Sequence, residues 1–388
     1  MNFIENTETL ELFCHNLKED TLLAIDTEFI RQTTYWPKLC LIQIAGEKIS
    51  AVIDVLSPNL CLTPLYDLLT KKSVIKIFHA ARQDIEAIFH LTKLIPTPIA
   101  DTQLMAMVCG LGETLSYEHL VLNIVQKQIN KKHQYTDWSQ RPLSLEQLDY
   151  ALNDVQHLHT IYHYLNNQIN NMNRSHWIKE EIKILESPQT YKPIPEKAWT
   201  RLHYQNLKKP SLFILQHLAS WRETKAQHDN INRNSIIKDS VLEEIAKHIP
   251  QTAKALSKIR GITSKFMSDI HSTELLNIIL EAKKKIDRDD TSYNFFYKNL
   301  SKEQEQIIHL FKILLKIKSN QYMISSKLIC SNDDIENFIL TPNNGSEIDL
   351  DFLKGWRYEV FGQEAMALKQ GKLAMIVKDD HITLVKNP

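Results

Sequence analysis

LLAIDTEF, residues 22–29, joins an apolar run to a pair of carboxylates. Leu22–Ile25 is short and apolar, as a buried strand would be. Successive strand side chains alternate faces, so Asp26 and Glu28 project together. Carboxylates held that close repel, and a divalent cation between them is the usual relief. The pair alone is far more often two solvated acids at a strand end, so the surrounding pattern has to decide.

Downstream, LCLIQIA (Leu39–Ala45) and Ile49–Leu56 are further apolar runs, with Gly46-Glu47-Lys48 between them. Three runs joined by short turns predict an antiparallel meander. A helix opened by Thr63-Pro64 follows, then a strand over Val74–Phe78 and a helix over Ala80–Leu91 that carries Asp84 in its first turns. Ser144 with Gln147 reads as a capping box opening a long helix that runs through Tyr164. Tyr150 and Asp154 lie four residues apart on one face of it. This part of the chain is therefore α/β. Pro188, Pro193 and Pro195 punctuate Ser187–Lys197, which reads as an extended connector. From Ser211 onward the patterns are nearly all helical, a loop (TPNNGSE, 341–347) interrupts them, and no internal repeat stands out.

The chain has 388 residues, which predicts two or three domains, and only 8 glycines. Neither G-x-G-x-x-G nor a Walker-type phosphate loop occurs, which argues against dinucleotide dehydrogenases, P-loop ATPases and any nucleotide cofactor. The 5 cysteines contain no C-x-x-C pair, fitting a reducing compartment rather than a disulfide framework or a thiolate zinc site. The acidic N-terminus lacks a signal-peptide pattern, and no apolar stretch approaches the ~20 residues of a membrane span, so no membrane association and a cytoplasmic location are expected. Residues 1–200 hold 18 basic and 23 acidic side chains, whereas residues 201–300 hold 17 and 11. The basic middle segment is either a solvated helical face or a polyanion-binding module.

Taken singly, Asp84 reads as an acid favoured near a helix N-terminus, His79 as a packing residue, and Tyr150 with Asp154 as an ordinary half-buried face. Together, D-x-E on a strand, H-x-x-x-x-D at a strand-to-helix junction and Y-x-x-x-D on a later helix resemble the three motifs of the DEDD exonuclease superfamily, in its tyrosine-containing branch. DTEFIRQTTYWPKLCLIQIA, FHAARQDIEAI and DWSQRPLSLEQLDYALNDVQHL are similar to the ribonuclease D family. PSLFILQHLASWRETKAQHDNINRNSIIKDSVLEEIAKHIPQTAKALSKIRGI resembles its helical HRDC domain, with Ile236–Lys238 and Ile259-Arg260-Gly261 as landmarks, and LKGWRYEVFGQEAMALKQGK (353–372) resembles a second, more divergent one.

The resemblance implies a ribonuclease H-like α/β exonuclease domain, a mixed sheet flanked by helices, over 1–195. A linker at 196–208 and two all-α HRDC-type domains, over 209–290 and 291–388, would follow. It implies hydrolytic 3′–5′ removal of nucleoside 5′-monophosphates from single-stranded RNA 3′ ends, with precursor tRNA as the characteristic substrate. A 3′–5′ DNA exonuclease and a non-catalytic RNA-binding or assembly protein on the same fold are the alternatives. Four carboxylates without histidine or cysteine suit two divalent ions, Mg²⁺ or Mn²⁺. By resemblance, Asp26 bridges the ions, Glu28 and Asp154 complete one site, and Asp84 supports the other. Tyr150 orients the attacking water, since a phenol with a pKa near ~10 is a poor base at neutral pH. Thr27 and Phe29 are candidates for terminal-nucleotide contacts, Phe29 equally for the core. Trp138 and Arg141 either line the substrate path or pack a helix N-terminus.

Overall fold

The computed structural model describes residues 2–129, 136–205, 207–288, 300–341 and 349–386. Six strands form one sheet: β1 (Asn2–Ile4), β2 (Leu22–Ile30), β3 (Lys38–Ala45), β4 (Ser50–Asp54), β5 (Ile75–Phe78) and β6 (Ile99–Asp101), in the order β1-β4-β3-β2-β5-β6. β2, β3 and β4 form the expected antiparallel meander, while β1, β5 and β6 add in parallel at its two sides. β1 and β6 were not foreseen, because three residues are too few for alternation to register.

The alternation of β2 sorts the two faces. Leu23 and Ile25 pack with helices α1 (Thr7–Asn16), α2 (Thr63–Thr70) and α3 (Arg82–Thr92), whereas Leu22 and Ala24 pack on the other side. That other side is covered by α4 (Thr102–Val108), the short α5 (Tyr117–Leu120), α6 (Leu145–Gln156) and α7 (Leu158–Asn171), followed by α8 (Ser175–Leu185). Asp26 and Glu28 continue the Leu22/Ala24 row, so the fold turns them toward α6. The long helix expected through Tyr164 is two helices that meet at His157. The Ser144/Gln147 capping box at its start is present.

The connector is not a free extended segment. It folds into two 3₁₀ turns, Pro188–Tyr191 and Pro195–Arg201, and Trp199, Leu202 and Leu207 are buried against α9 (Lys209–Asp229). Residues placed in a linker thus belong to the core of the first helical unit. After α9 come Arg233–Ile236, Asp239–His248 and, further on, Ile270–Asp287. The later region repeats that opening. A helix of the same length, Lys302–Tyr322, ends like α9 on a left-handed residue (Met323, matching Asn230), and Ser326–Ile329 and Asn332–Leu340 follow. The boundary set at 290/291 and most of the 341–347 loop lie outside the described residues.

The expectation that this last region is all-α needs correction. Leu373–Lys378 and His381–Lys386 pair as an antiparallel hairpin, β7 and β8. Asp379 and Asp380 both take positive φ (49° and 61°), the backbone that a two-residue hairpin turn requires. Asp-Asp is a weaker signal for such a turn than Asn-Gly or Asp-Gly, and the segment was read as helical.

Both helical units dock on the α/β domain. The loop after β2 reaches the first one: Tyr35 is 2% exposed and its phenol donates to Glu223 of α9, which also accepts from Arg201 at 2.8 Å and from Arg233 at 2.5 and 2.8 Å. The second unit shares a core with α4, α7 and α8, where Trp177 stacks on Trp356 at 4.5 Å and Arg174 donates to Val108 O at 2.7 Å and Met323 O at 3.0 Å.

Burial alone would raise the Glu223 carboxyl, but the hydrogen bonds from Arg233 and Tyr35 and the charges of Arg233 and Arg201 hold it at about 2. A depressed carboxyl stabilises the fold above its unfolded value of 4.5, and that contribution is lost as pH falls toward about 2. Glu223→Gln should therefore melt below wild type at pH 7, by on the order of 2 kcal/mol for a buried ion cluster that loses its anion. The gap should close as melts are repeated from pH 4.5 downward, and a gap independent of pH would show that Glu223 acts by packing alone.

Candidate active site

Asp26 and Glu28 from β2 and Asp154 from α6 each offer an oxygen, and these oxygens all lie within 4.8 Å of one another. Elements from opposite ends of the domain meet here because Leu148 and Ala151 of α6 pack on Leu41 and Val52 of the neighbouring strands. A register shift between Glu28 and Phe29, where β3 carries an extra residue, lies just beyond the pair.

Burial, followed by the charges of Asp26, Asp154 and Asp84, pushes Glu28 up to about 10. Burial likewise raises Asp26 to about 6. Asp84, in the first turn of α3, stands outside the close trio, yet burial and the charge of Asp26 raise its carboxyl well above the ordinary range. A crowded set of oxygen donors whose mutual repulsion keeps protons on them is the chemistry that a hard divalent cation reverses. The donor set therefore fits such ions.

Thr27 points away from the pair, as alternation requires. It is 6% exposed and its hydroxyl donates to Asp84 Oδ1 at 2.5 Å. It braces a carboxylate from behind instead of facing a nucleotide, contrary to the expectation for it. Phe29 packs with the α1–α3 core, the second of the two readings left open for it. Trp138, 2% exposed, packs with Leu148 and Ala151 near the start of α6, with its ring 6.0 Å from Tyr150. Arg141 grips Asp54 of β4 through two hydrogen bonds of 2.6 and 2.5 Å. Trp138 thus lies at the start of α6, whereas Arg141 is tied to the sheet.

Tyr150 lies one turn before Asp154. Burial and then the charges of Asp154, Glu28 and Asp26 raise its phenol far above 10.0. Beside it opens a pocket of 290 Å³ lined by His79, Gln103, Ser116, Tyr117, Tyr150 and Asp154, among others.

Two supporting residues escaped the sequence reading. Asp101, 3% exposed, caps α4 through the Gln103 and Leu104 N–H groups and accepts from Ala80 N at 3.1 Å and Ala81 N at 2.9 Å. Ala80 has φ 57°, so Asp101 secures a left-handed kink at the entry of the helix that carries Asp84. An Asp-Thr pair before an apolar helix was the available signal. Tyr117, the second, bonds to the backbone on both sides of the α6/α7 junction.

Residues 1–170 match a family described as 3′–5′ exonuclease, and residues 211–279 match the HRDC domain. Ribonuclease D of Zymomonas mobilis is 39% identical over 382 residues, covering 98% of this chain and 97% of that one. Ribonuclease D of Nitrobacter hamburgensis is 36% identical over 387 residues, with 100% of both chains covered. The chain belongs to the ribonuclease D family. Its reaction class is that of the family, 3′–5′ exoribonucleolysis. The crystal structure of Escherichia coli RNase D, described as an exoribonuclease involved in structured RNA processing, superposes with a TM-score of 0.83 at 26% identity, over 96% of this chain and 99% of that one. The family likeness therefore extends through both helical regions. Among the described residues, no helix is long and apolar enough to cross a membrane.

Proposed function

We propose that this chain shortens single-stranded RNA from its 3′ end by hydrolysis, using two divalent ions, Mg²⁺ or Mn²⁺, and acts on precursor tRNA 3′ ends in the cytoplasm. The observation that carries the reading is the meeting of Asp26, Glu28 and Asp154 oxygens within 4.8 Å, with Glu28 raised to about 10 by burial and its neighbours. Asp26, Glu28 and Asp154 would hold one ion, and Asp84, steadied by Thr27, would support a second shared with Asp26. The ions, when bound, supply the Lewis acidity that activates water and neutralises charge on the leaving oxygen.

The chain's own groups do the rest. Tyr150 orients the attacking water, and its raised pKa keeps the proton on the phenol, so it positions water and does not take its proton. The pocket between His79 and Tyr150 receives the terminal nucleoside. The basic helical unit that opens with α9 engages phosphates upstream, and residues 300–386, which repeat its helix order, are read as a second HRDC-like unit.

Matched single-stranded RNA and DNA with 3′ labels test the assignment. RNA should release labelled 5′-mononucleotide in Mg²⁺ or Mn²⁺ and none in EDTA, with DNA cut far more slowly. Preference for DNA would overturn the substrate assignment, and RNA binding without cleavage would overturn the catalytic one.

A further inference from the structure

An α-helix passing through His157 would bond its N–H to the Asn153 carbonyl. Here the Tyr117 phenol stands between them: the His157 N–H donates to the phenol oxygen at 3.1 Å, and the phenol donates to Asn153 O at 3.0 Å. His157 takes φ −109° and ψ 0°, its N–H turning also toward Val155 O, and α6 ends there. A side chain inserted into the hydrogen-bond ladder is a recognised cause of a helix break. Asp154 is the residue after Asn153, so the inserted turn is the one that carries it.

The insertion is held from outside the helix. Tyr117 opens a short helix capped by Ser116, and its ring lies 5.9 Å from that of His79. His79 is fixed in turn by Thr102 Oγ1 at 2.9 Å and Leu115 O at 3.1 Å. His79 leads directly into the Ala80 kink and the α3 turn of Asp84.

We propose that Tyr117 is a positioning residue for the hydrolytic site, its phenol spliced into the last turn of α6 so that the Asp154 carboxylate is aimed at Asp26 and Glu28. The proposal rests on reading Asp154 as a metal ligand. Tyr117→Phe keeps the ring and removes only the splice, leaving the His157 N–H free to close onto Asn153 O and turn Asp154 away. Partners that orient a ligand from behind typically account for about 10- to 100-fold in metal affinity.

Mn²⁺ binding to the full chain without RNA, followed by electron paramagnetic resonance, reads this independently of turnover. Tyr117→Phe should bind Mn²⁺ about 10-fold or more weakly. Its kcat should fall at low Mn²⁺ and recover in part at high Mn²⁺, with KM for RNA shifted far less than the Mn²⁺ affinity and the far-UV circular dichroism unchanged. Wild-type Mn²⁺ affinity with a raised KM would make Tyr117 a nucleotide contact and overturn the proposal, and so would wild-type values throughout. Asp154→Asn separates the two levels of the argument. If that variant binds Mn²⁺ normally, the ligand reading itself has failed; if only Tyr117→Phe does, the positioning role alone is lost.

Discussion

Asp154→Asn and Asp26→Asn are each expected to abolish hydrolysis, by at least ~10³-fold or roughly 4 kcal/mol of transition-state stabilisation, while the protein stays folded. Asn keeps the shape and a carbonyl oxygen but removes the charge on which a hard cation depends. In the metal-free protein, burial and three acidic neighbours raise Glu28 to about 10, and burial raises Asp26 to about 6. Removing one of those neighbours relieves the strain, so melting without metal should be unchanged or higher in either variant. Near-normal turnover in Asp26→Asn would exclude the metal-site assignment.

Burial of Asp26 fixes the sign of a pH dependence. A carboxyl raised in the folded state favours folding while protonated, and that advantage disappears as pH climbs from its unfolded value through its folded one. For Asp26 the window runs from 3.8 to about 6. Metal-free wild type should lose stability across it, Asp26→Asn should lose less, and Mn²⁺ should restore the wild type at the upper end by binding the ionised form.

What was legible in the sequence was whatever a local pattern encodes. The runs Leu22–Ile25 and Leu39–Ala45 show the meander, Ser144 with Gln147 shows the start of α6, and the spacing of Tyr150 and Asp154 shows one helix face. The α6/α7 break was hidden because the group that causes it, the Tyr117 phenol, comes from 40 residues before His157. No periodicity within the helix records it. The Tyr35 to Glu223 contact spans 188 residues and is equally invisible to spacing. Thr27 was misplaced for a different reason. Its nearness in sequence to Asp26 and Glu28 suggested a substrate contact, yet the alternation that pairs those two carboxylates also sends Thr27 to the opposite face. Applied consistently, the same rule would have put it behind the site.

Tyr150→Phe is expected to lower kcat by about 10²- to 10³-fold, equivalent to ~3 to 4 kcal/mol for a positioned hydrogen bond in the transition state, with KM for RNA and Mn²⁺ affinity close to wild type. The phenol is held far above 10.0 by burial and the charges of Asp154, Glu28 and Asp26. Even if bound cations cancel that rise, it returns only to its ordinary value near ~10, still protonated at working pH. A group that never gives up its proton leaves no limb of its own on a pH–rate profile. The Tyr150→Phe profile should therefore run parallel to wild type, displaced downward. Loss of a limb in the variant would instead make Tyr150 the proton acceptor. Phe keeps the ring in place beside Trp138, so the drop cannot be charged to lost packing. Greater residual activity in Tyr150→Phe than in Asp154→Asn is the ordering this site requires, because one change misaligns the attacking water and the other removes a ligand on which its activation depends.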